Sequence, residues 1–223
     1  MPADEQEHPL DELPEHLRKA VLAAEDAKFY QHEGLNYLAM GRCLLKGLLR
    51  GGVACGGSTI TQQVVKTFLF QSDLRPSLTS KVKRKVKEFV LAPRLEENLS
   101  KDEILYLYLN QIYLGHLRYG MEEAARFYFG KSVRDVTLGE AATLAGVVQS
   151  PMRLSPVNHP ARAKERQRYV LRRMFEEGWI TKAQLDEENA RPIVTHPPEP
   201  DPPGAWYADA IRKVLDEKYG AEV

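Results

Sequence analysis

The stretch that constrains this chain most is GGSTITQQ, which occupies residues 56–63 and leads directly into the apolar residues Val64 and Val65. Glycine allows the backbone to approach a ligand closely, and the hydroxyl and amide side chains that follow supply hydrogen-bond donors and acceptors. Ser58 or Thr59 is placed to cap a helix, and the N–H groups at such a helix start suit a phosphate or a sugar oxygen. A simple capped turn is the alternative, but adjacent glutamines are an unusual choice there unless something is bound.

Helical periodicity dominates on both sides of this octet, and strand-like alternation is scarce. A first helix is expected to enter through Pro14 and to end near Gly34, with one face made of Leu13, Leu17, Val21 and Ala24. Three capping boxes predict further helices, at Ser100 with Glu103, Thr137 with Glu140, and Thr181 with Gln184. The predicted fold class is therefore mainly α.

Composition sets limits on the function. The 223 residues carry 31 Lys plus Arg and 31 Asp plus Glu, so no long-range field of one sign marks the chain as a partner of nucleic acid. Cys43 and Cys55 are spaced for neither a zinc site nor a disulfide framework, and no metal site is predicted. No apolar stretch approaches the ~20 residues of a membrane span. Any cationic site must therefore be local.

A basic amphipathic segment is expected between residues 35 and 57. Leucine in such a segment enters the headgroup boundary while the cations meet anionic lipid, which suits a membrane surface. A core-facing helix with a solvated basic side is equally compatible with the pattern. The cations and the leucines fall on different helical stripes, Arg42, Lys46 and Arg50 against Leu44, Leu45 and Leu48.

The domain proper is predicted to span residues 13–194. Residues 1–12 are expected to be its edge or a juxtamembrane leader. The sequence HPPEPDPPG cannot continue a helix, so residues 195–223 are predicted to hold a proline-rich linker and the start of a further connection.

Glu25 is the first candidate for chemistry. It shares a helical stripe with the apolar residues Leu22 and Phe29, and an apolar flank would raise its pKa and make it a better base near neutral pH. Taken alone, a helical glutamate is more often a solvated surface residue.

A row of cations that ends in a carboxylate is the second candidate. Lys81, Arg84, Lys85 and Glu88 fall on one helical stripe. Such a row can hold an anion and orient a reacting group. As a lone feature it would more often be a solvated helix face.

Five motifs along the chain carry a resemblance to a known family. Residues 13 to 190 resemble glycosyltransferase family 51, the peptidoglycan glycosyltransferase domain of class A penicillin-binding proteins and of monofunctional cell-wall polymerases. The octet is the most specific of the motifs. In order they are Glu25-Asp26-x-x-Phe29-x-x-His32-x-Gly34, residues 56–63, Arg84-Lys85-x-x-Glu88, Leu109-Asn110-x-x-Tyr113-Leu114-Gly115, and Gly120-x-Glu122-x-Ala124-Ala125-x-x-Tyr128-Phe129-Gly130-Lys131.

The resemblance implies a lysozyme-like helical domain with a smaller, membrane-associated jaw at about residues 35–57. The implied substrates are lipid II, an undecaprenyl diphosphate that carries a disaccharide-peptide, and the growing glycan chain. The implied place is the outer face of the bacterial inner membrane, with a cell-wall synthesis complex as a further candidate partner. No cofactor is required, although a divalent cation, Mg or Mn, assists some relatives.

The resemblance also assigns roles to residues. Glu25 matches the family's general base, and Glu88 matches its second catalytic carboxylate. The positions that match sugar- and diphosphate-binding residues are Asp26, Phe29, His32, Ser58, Thr59, Gln62, Gln63, Lys66, Arg75, Arg84 and Lys85.

Some features depart from the family pattern or leave alternatives open. Cys55 stands where a polar residue is more usual, and Pro93 is expected to bend its helix, which leaves the position of Glu96 open. Residues 206–220 resemble the stretch that leads class A enzymes toward a transpeptidase, so the chain is expected to belong to a larger bifunctional protein. A lysozyme-like glycan-cleaving enzyme and a catalytically silent membrane-binding module are the alternatives.

Overall fold

A computed structural model of the chain describes residues 9–42, 57–69 and 78–196. Within these ranges there is no β-strand; Tyr113 and Tyr119 form a single antiparallel bridge. The mainly α prediction is thus confirmed. The α-helices with both bounds given are α1 (Glu15–Glu25), α2 (Ile60–Leu69), α3 (Leu78–Glu96), α4 (Lys101–Gln111), α5 (Met121–Phe129), α6 (Leu138–Val147), α7 (Pro151–Leu154), α8 (Pro160–Glu176) and α9 (Lys182–Ala190), with 3-10 turns at Leu10–Glu12, Phe29–Gln31 and Val133–Asp135. Residues 37–42 are also helical, up to the edge of the first described range.

The helix starts follow the local sequence. All three predicted capping boxes are present, with both reciprocal hydrogen bonds, at the N-termini of α4, α6 and α9. Pro14 precedes the first residue of α1, as predicted.

The predicted end of the first helix near Gly34 is wrong. Helix α1 ends at Glu25, and Asp26 leaves the helix with φ −157°. The reason lies in the tertiary structure, because Asp26 Oδ2 accepts hydrogen bonds from the backbone N–H of Ile60 and from the His32 ring. Those contacts override a helical periodicity that the sequence could continue.

The core is built around α6, which packs against α1 and α8. Its residues from Ala141 to Val147 are all buried, as expected of a helix that is small and apolar on every side. Gly146 lets α8 come close, since a Cβ there would lie 2.9 Å from Arg166 Cγ. This packing fixes α1, and with it the position of Glu25.

A second layer is formed by α2, which packs on α3 and α4. Gly34 packs closely against the backbone of α3. It has φ +77°, and a Cβ there would lie 2.6 Å from the backbone nitrogen of Pro93. Helix α3 continues through Pro93 to Glu96, so the position of Glu96 is settled by the structure while the predicted bend stays a prediction.

Several predictions lie outside the described residues. They concern the basic amphipathic segment beyond residue 42, both cysteines, Arg75 and the C-terminal tail. In the part that the structure describes, no helix combines the length and the apolar character needed to cross a membrane.

Candidate active site

The carboxylate of Glu25, the last residue of α1, is held from across the fold. Gln63 Nε2, in the first turn of α2, donates a hydrogen bond to Glu25 Oε2 at 2.8 Å. The carbonyl oxygen of the same amide accepts a hydrogen bond from the Tyr108 hydroxyl of α4 at 3.2 Å. Three helices therefore meet at one carboxylate, and its position does not depend on a flexible loop.

The surroundings of Glu25 change its acidity. Burial raises the pKa of its carboxyl group, and the negative charge of Asp26 adds to that rise. The Gln63 hydrogen bond and the positive charge of Arg166 oppose the rise without cancelling it. A carboxylate with a raised pKa is a better proton acceptor near neutral pH, which agrees with the predicted direction.

The octet begins with a tight set of internal hydrogen bonds. Thr59 Oγ1 accepts from the Gln62 backbone N–H at 3.1 Å, and Gln62 Oε1 accepts from the Thr59 backbone N–H at 3.0 Å. The Thr59 hydroxyl also donates to the Gly34 carbonyl at 2.7 Å. Thr59, and not Ser58, is therefore the residue that caps α2.

Glu88 lies in a second, charged cluster on α3. Its side chain is buried, and Lys85 Nζ lies 2.8 Å from its Oε2 while Arg84 Nε lies 3.5 Å from its Oε1. Lys85 Nζ also donates to Ser58 Oγ at 2.8 Å. The octet thus connects the two predicted catalytic carboxylates, because Ser58 contacts the Lys85 and Glu88 cluster and Gln63 contacts Glu25.

A neighbouring ion pair anchors α2 from the other side. Glu96 Oε1 accepts from Thr61 Oγ1 and lies 2.7 Å from Lys101 Nζ. The Lys101 ammonium in turn lies 4.3 Å from the centre of the Phe29 ring. These contacts join the first motif and the octet through Glu96 and Lys101.

Several residues predicted to bind substrate are buried beneath the surface of the site. Phe29, Thr59, Gln62 and Asp26 are buried, and the described contacts of Asp26 are the internal ones to His32 and Ile60. This places them where they position other groups. Contact with a substrate stays a prediction for all of them, as it does for Lys66, which is exposed on α2.

Sequence reasoning missed two residues near Glu25. Tyr108 lies within a pattern that looks like ordinary core, and Arg166 stands in a run of basic residues on α8 that marks none of them as special. Arg166 reaches this region with its guanidinium stacked 4.4 Å from the Tyr169 ring. Only the crossing of α8 against α1 brings it near the carboxylate.

A raised-pKa carboxylate beside a buried carboxylate that is paired with two cations is the arrangement expected of an enzyme site that moves a proton and binds an anion. The chain matches the family model described as transglycosylase over residues 2–175. It therefore belongs to the transglycosylase family, whose members are peptidoglycan glycosyltransferases.

Similar proteins agree with this family. The chain is 42% identical to penicillin-binding protein 1A of Neisseria cinerea over 215 residues, which is 96% of this chain and 26% of that protein. It is 41% identical to penicillin-binding protein 1A of Vibrio cholerae, again over 96% of this chain and 25% of that protein. The chain thus spans about a quarter of the length of these relatives.

A solved structure gives the same answer for the fold. The crystal structure of penicillin-binding protein 1A from Haemophilus influenzae matches with a TM-score of 0.57 and 25% identity, over 97% of this chain and 22% of that chain. The predicted lysozyme-like helical fold and the family resemblance are confirmed, whereas the membrane-associated jaw stays a prediction.

Proposed function

We propose that this chain polymerises lipid II into β-1,4-linked glycan and releases undecaprenyl diphosphate, with Glu25 as the general base. The observation that carries this proposal is that residues 56–63 contact both the Glu25 carboxylate and the Lys85–Glu88 ion pair. One end of the octet donates to a carboxylate of raised pKa, and the other contacts a lysine paired with a buried glutamate.

The proposed reaction is a displacement at the anomeric carbon of the donor sugar. Glu25 takes the proton from the acceptor sugar hydroxyl, whose oxygen forms a bond to the anomeric carbon of the donor. The bond from that carbon to the diphosphate oxygen breaks, and the diphosphate leaves with the electron pair. Attack from the face opposite the leaving group inverts the anomeric centre.

The cations act on the leaving group. Negative charge grows on the diphosphate as its bond to carbon breaks, so cations aimed at it stabilise the transition state more than the bound substrate. Lys85 and Arg84 suit this role, and Glu88 holds both in place. Lys66 and Arg75 are proposed to add charge along the same path.

A divalent cation, Mg or Mn, is proposed as an aid and not as a requirement. In the described part of the chain, no group of three or more His, Cys, Asp or Glu side chains could hold a metal ion. We propose that such an ion would be held mainly by the substrate diphosphate. Chelation with EDTA is expected to lower the rate only partly.

The membrane surface is the proposed working place, on the outer face of the bacterial inner membrane and within a larger penicillin-binding protein that contacts a cell-wall synthesis complex. An exposed apolar stripe on α3 supports this: Val82, Val86 and Val90 are 57%, 58% and 50% exposed. Apolar residues one helical turn apart can enter a lipid headgroup boundary. Val86→Asp is expected to weaken flotation with anionic vesicles without lowering the melting temperature.

The two alternatives differ in their products. A lysozyme-like hydrolase uses a carboxyl group against a neutral glycosidic bond and has no need of the cation cluster. A silent binding module has no need of a raised-pKa carboxylate. Gel separation of products from labelled lipid II tests all three, because a polymerase makes ladders, a hydrolase makes fragments and a silent module leaves the substrate unchanged.

A further inference from the structure

Tyr108 is a buried polar residue that the proposed chemistry does not itself use. Its side chain is 2% exposed, and burial raises the pKa of its hydroxyl well above the ordinary value. The hydroxyl therefore keeps its proton throughout the working range of an enzyme. A buried hydroxyl proton needs an acceptor, and among the described residues that acceptor is Gln63 Oε1.

This one hydrogen bond decides which way the Gln63 amide faces. An amide oxygen can only accept and an amide nitrogen can only donate. Because the Tyr108 proton takes the oxygen, the nitrogen is turned toward Glu25, where it donates at 2.8 Å. The reversed amide would leave the Tyr108 proton without an acceptor and would set an oxygen against Glu25.

We propose that Tyr108 is a positioning residue for the glycosyl transfer, because its hydroxyl keeps the donor end of the Gln63 amide against Glu25. Tyr108 acts through Gln63 and touches no substrate. The inference rests on the proposed function, in which Glu25 is the general base.

The consequence for Glu25 follows from the two amide orientations. A donor stabilises the carboxylate, whereas an acceptor stabilises the protonated acid. The other charged groups that face Glu25 are Asp26, which His32 contacts, and Arg166 from α8. These groups are unchanged when the Tyr108 hydroxyl is removed, so its loss should leave Glu25 protonated over a wider range of pH.

The test is the pH dependence of lipid II polymerisation by Tyr108→Phe, which keeps the ring and removes only the hydroxyl. We expect the initial rate to fall about tenfold on the acid side of the profile and less than about twofold on the alkaline plateau. The acid limb should thus move to higher pH. A purely structural role would lower the rate by the same factor at every pH, and that result would overturn the inference.

A matched control is Tyr128→Phe. Tyr128 is also fully buried, and its hydroxyl donates to the Leu114 carbonyl at 2.7 Å, away from Gln63. It should lower the melting temperature and leave the acid limb in place.

A second variant covers the case in which Tyr108→Phe does not fold. Gln63→Met keeps the side-chain length but removes the donor, so it should also move the acid limb to higher pH. If both variants fold, adding Tyr108→Phe to Gln63→Met should produce no further movement of the limb. A further movement would show that Tyr108 acts by another route and would overturn the inference.

A titration that needs no activity separates this inference from the proposed function. In the full chain with carbon-13 in its glutamate carboxyl groups, the Glu25 resonance is assigned by its absence in Glu25→Gln. It should titrate at higher pH in Tyr108→Phe than in wild type. An unmoved titration with an inactive Glu25→Gln overturns only the role of Tyr108. A moved titration with a fully active Glu25→Gln keeps the contact but overturns the role of Glu25 as base, and with it the positioning role in catalysis.

Discussion

The surroundings of Glu25 and those of Glu88 differ although one octet contacts both. Glu25 accepts its described side-chain hydrogen bond from a neutral amide, and burial dominates its acidity. Glu88 is 4% exposed and has Lys85 and Arg84 within ion-pair distance. One carboxylate thus has a raised pKa, and the other is paired with two cations.

The difference shows how a single residue type can do two jobs. A neutral, desolvated setting favours proton transfer, because the protonated state is then within reach near neutral pH. A setting with two cations suits a carboxylate that holds those cations in place, because each ion pair limits where its cation can lie. Pairs of titratable groups with opposite surroundings are typical of catalytic sites.

The largest expected effect comes from Glu25→Gln, which keeps the shape but cannot accept a proton. Loss of a general base should lower the polymerisation rate by a factor of about 10² to 10⁴. Binding of lipid II, measured separately by a direct titration, should change little. The matched control is Glu165→Gln, an exposed carboxylate on α8, which should keep full activity. If Glu25→Gln makes glycan ladders at near the wild-type rate, Glu25 is not the general base.

Glu88→Gln tests the charged side of the comparison. Without the anion, Lys85 and Arg84 lose the group that holds them, and we expect a rate loss of about 10- to 100-fold. The losses should not add, because residues that act in one step give non-additive effects. The double variant with Glu25→Gln should therefore be little slower than Glu25→Gln alone, and losses that multiply would indicate two separate steps.

Gly34→Ala tests how far the octet depends on backbone packing. The new Cβ would meet the backbone of Ala92 and Pro93, and φ +77° strains any residue other than glycine. Unfolding free energy should fall by about 2 kcal/mol or more. The control is Gly178→Ala, which has φ +73° and open space, so it isolates the backbone strain. Equal losses in urea denaturation for both variants would show that the packing against α3 matters little.

The smallest expected effect is a gain in stability. Burial raises the pKa of Glu25 in the folded state, so the folded protein loses stability as pH rises through that pKa and the group must ionise. Glu25→Gln avoids this and should melt roughly 2–4 °C higher at pH 7. Below about pH 4 the Glu25 carboxyl group is protonated in the folded and in the unfolded protein, so the wild type and Glu25→Gln should have the same melting temperature. A melting temperature that falls at pH 7 would show that the Gln63 contact outweighs burial.

Much of this arrangement was predictable from sequence. Capping boxes and helical periodicity are local signals, and they located the starts of α4, α6 and α9. The paired cations and Glu88 were also local, since residues three and four apart share a helix face.

Contacts between distant segments were not predictable in this way. The early end of α1 depends on a hydrogen bond from Ile60 to Asp26, and the amide orientation depends on Tyr108, which lies 45 residues from Gln63 in sequence. The sequence pattern of one helix does not predict which side chains of another helix will contact it. Residues such as Tyr108 and Arg166 therefore read as core or surface until the helices are packed.

The place of Glu25 at the end of α1 has an electrostatic consequence. The peptide dipoles of a helix sum to a partial negative charge at its C-terminus, where the last carbonyls lack helical partners. A carboxylate at this end is repelled, whereas the neutral acid is not. The proton transfer proposed for this site converts the Glu25 carboxylate into the neutral acid, so the helix dipole favours the protonated state that the chemical step produces.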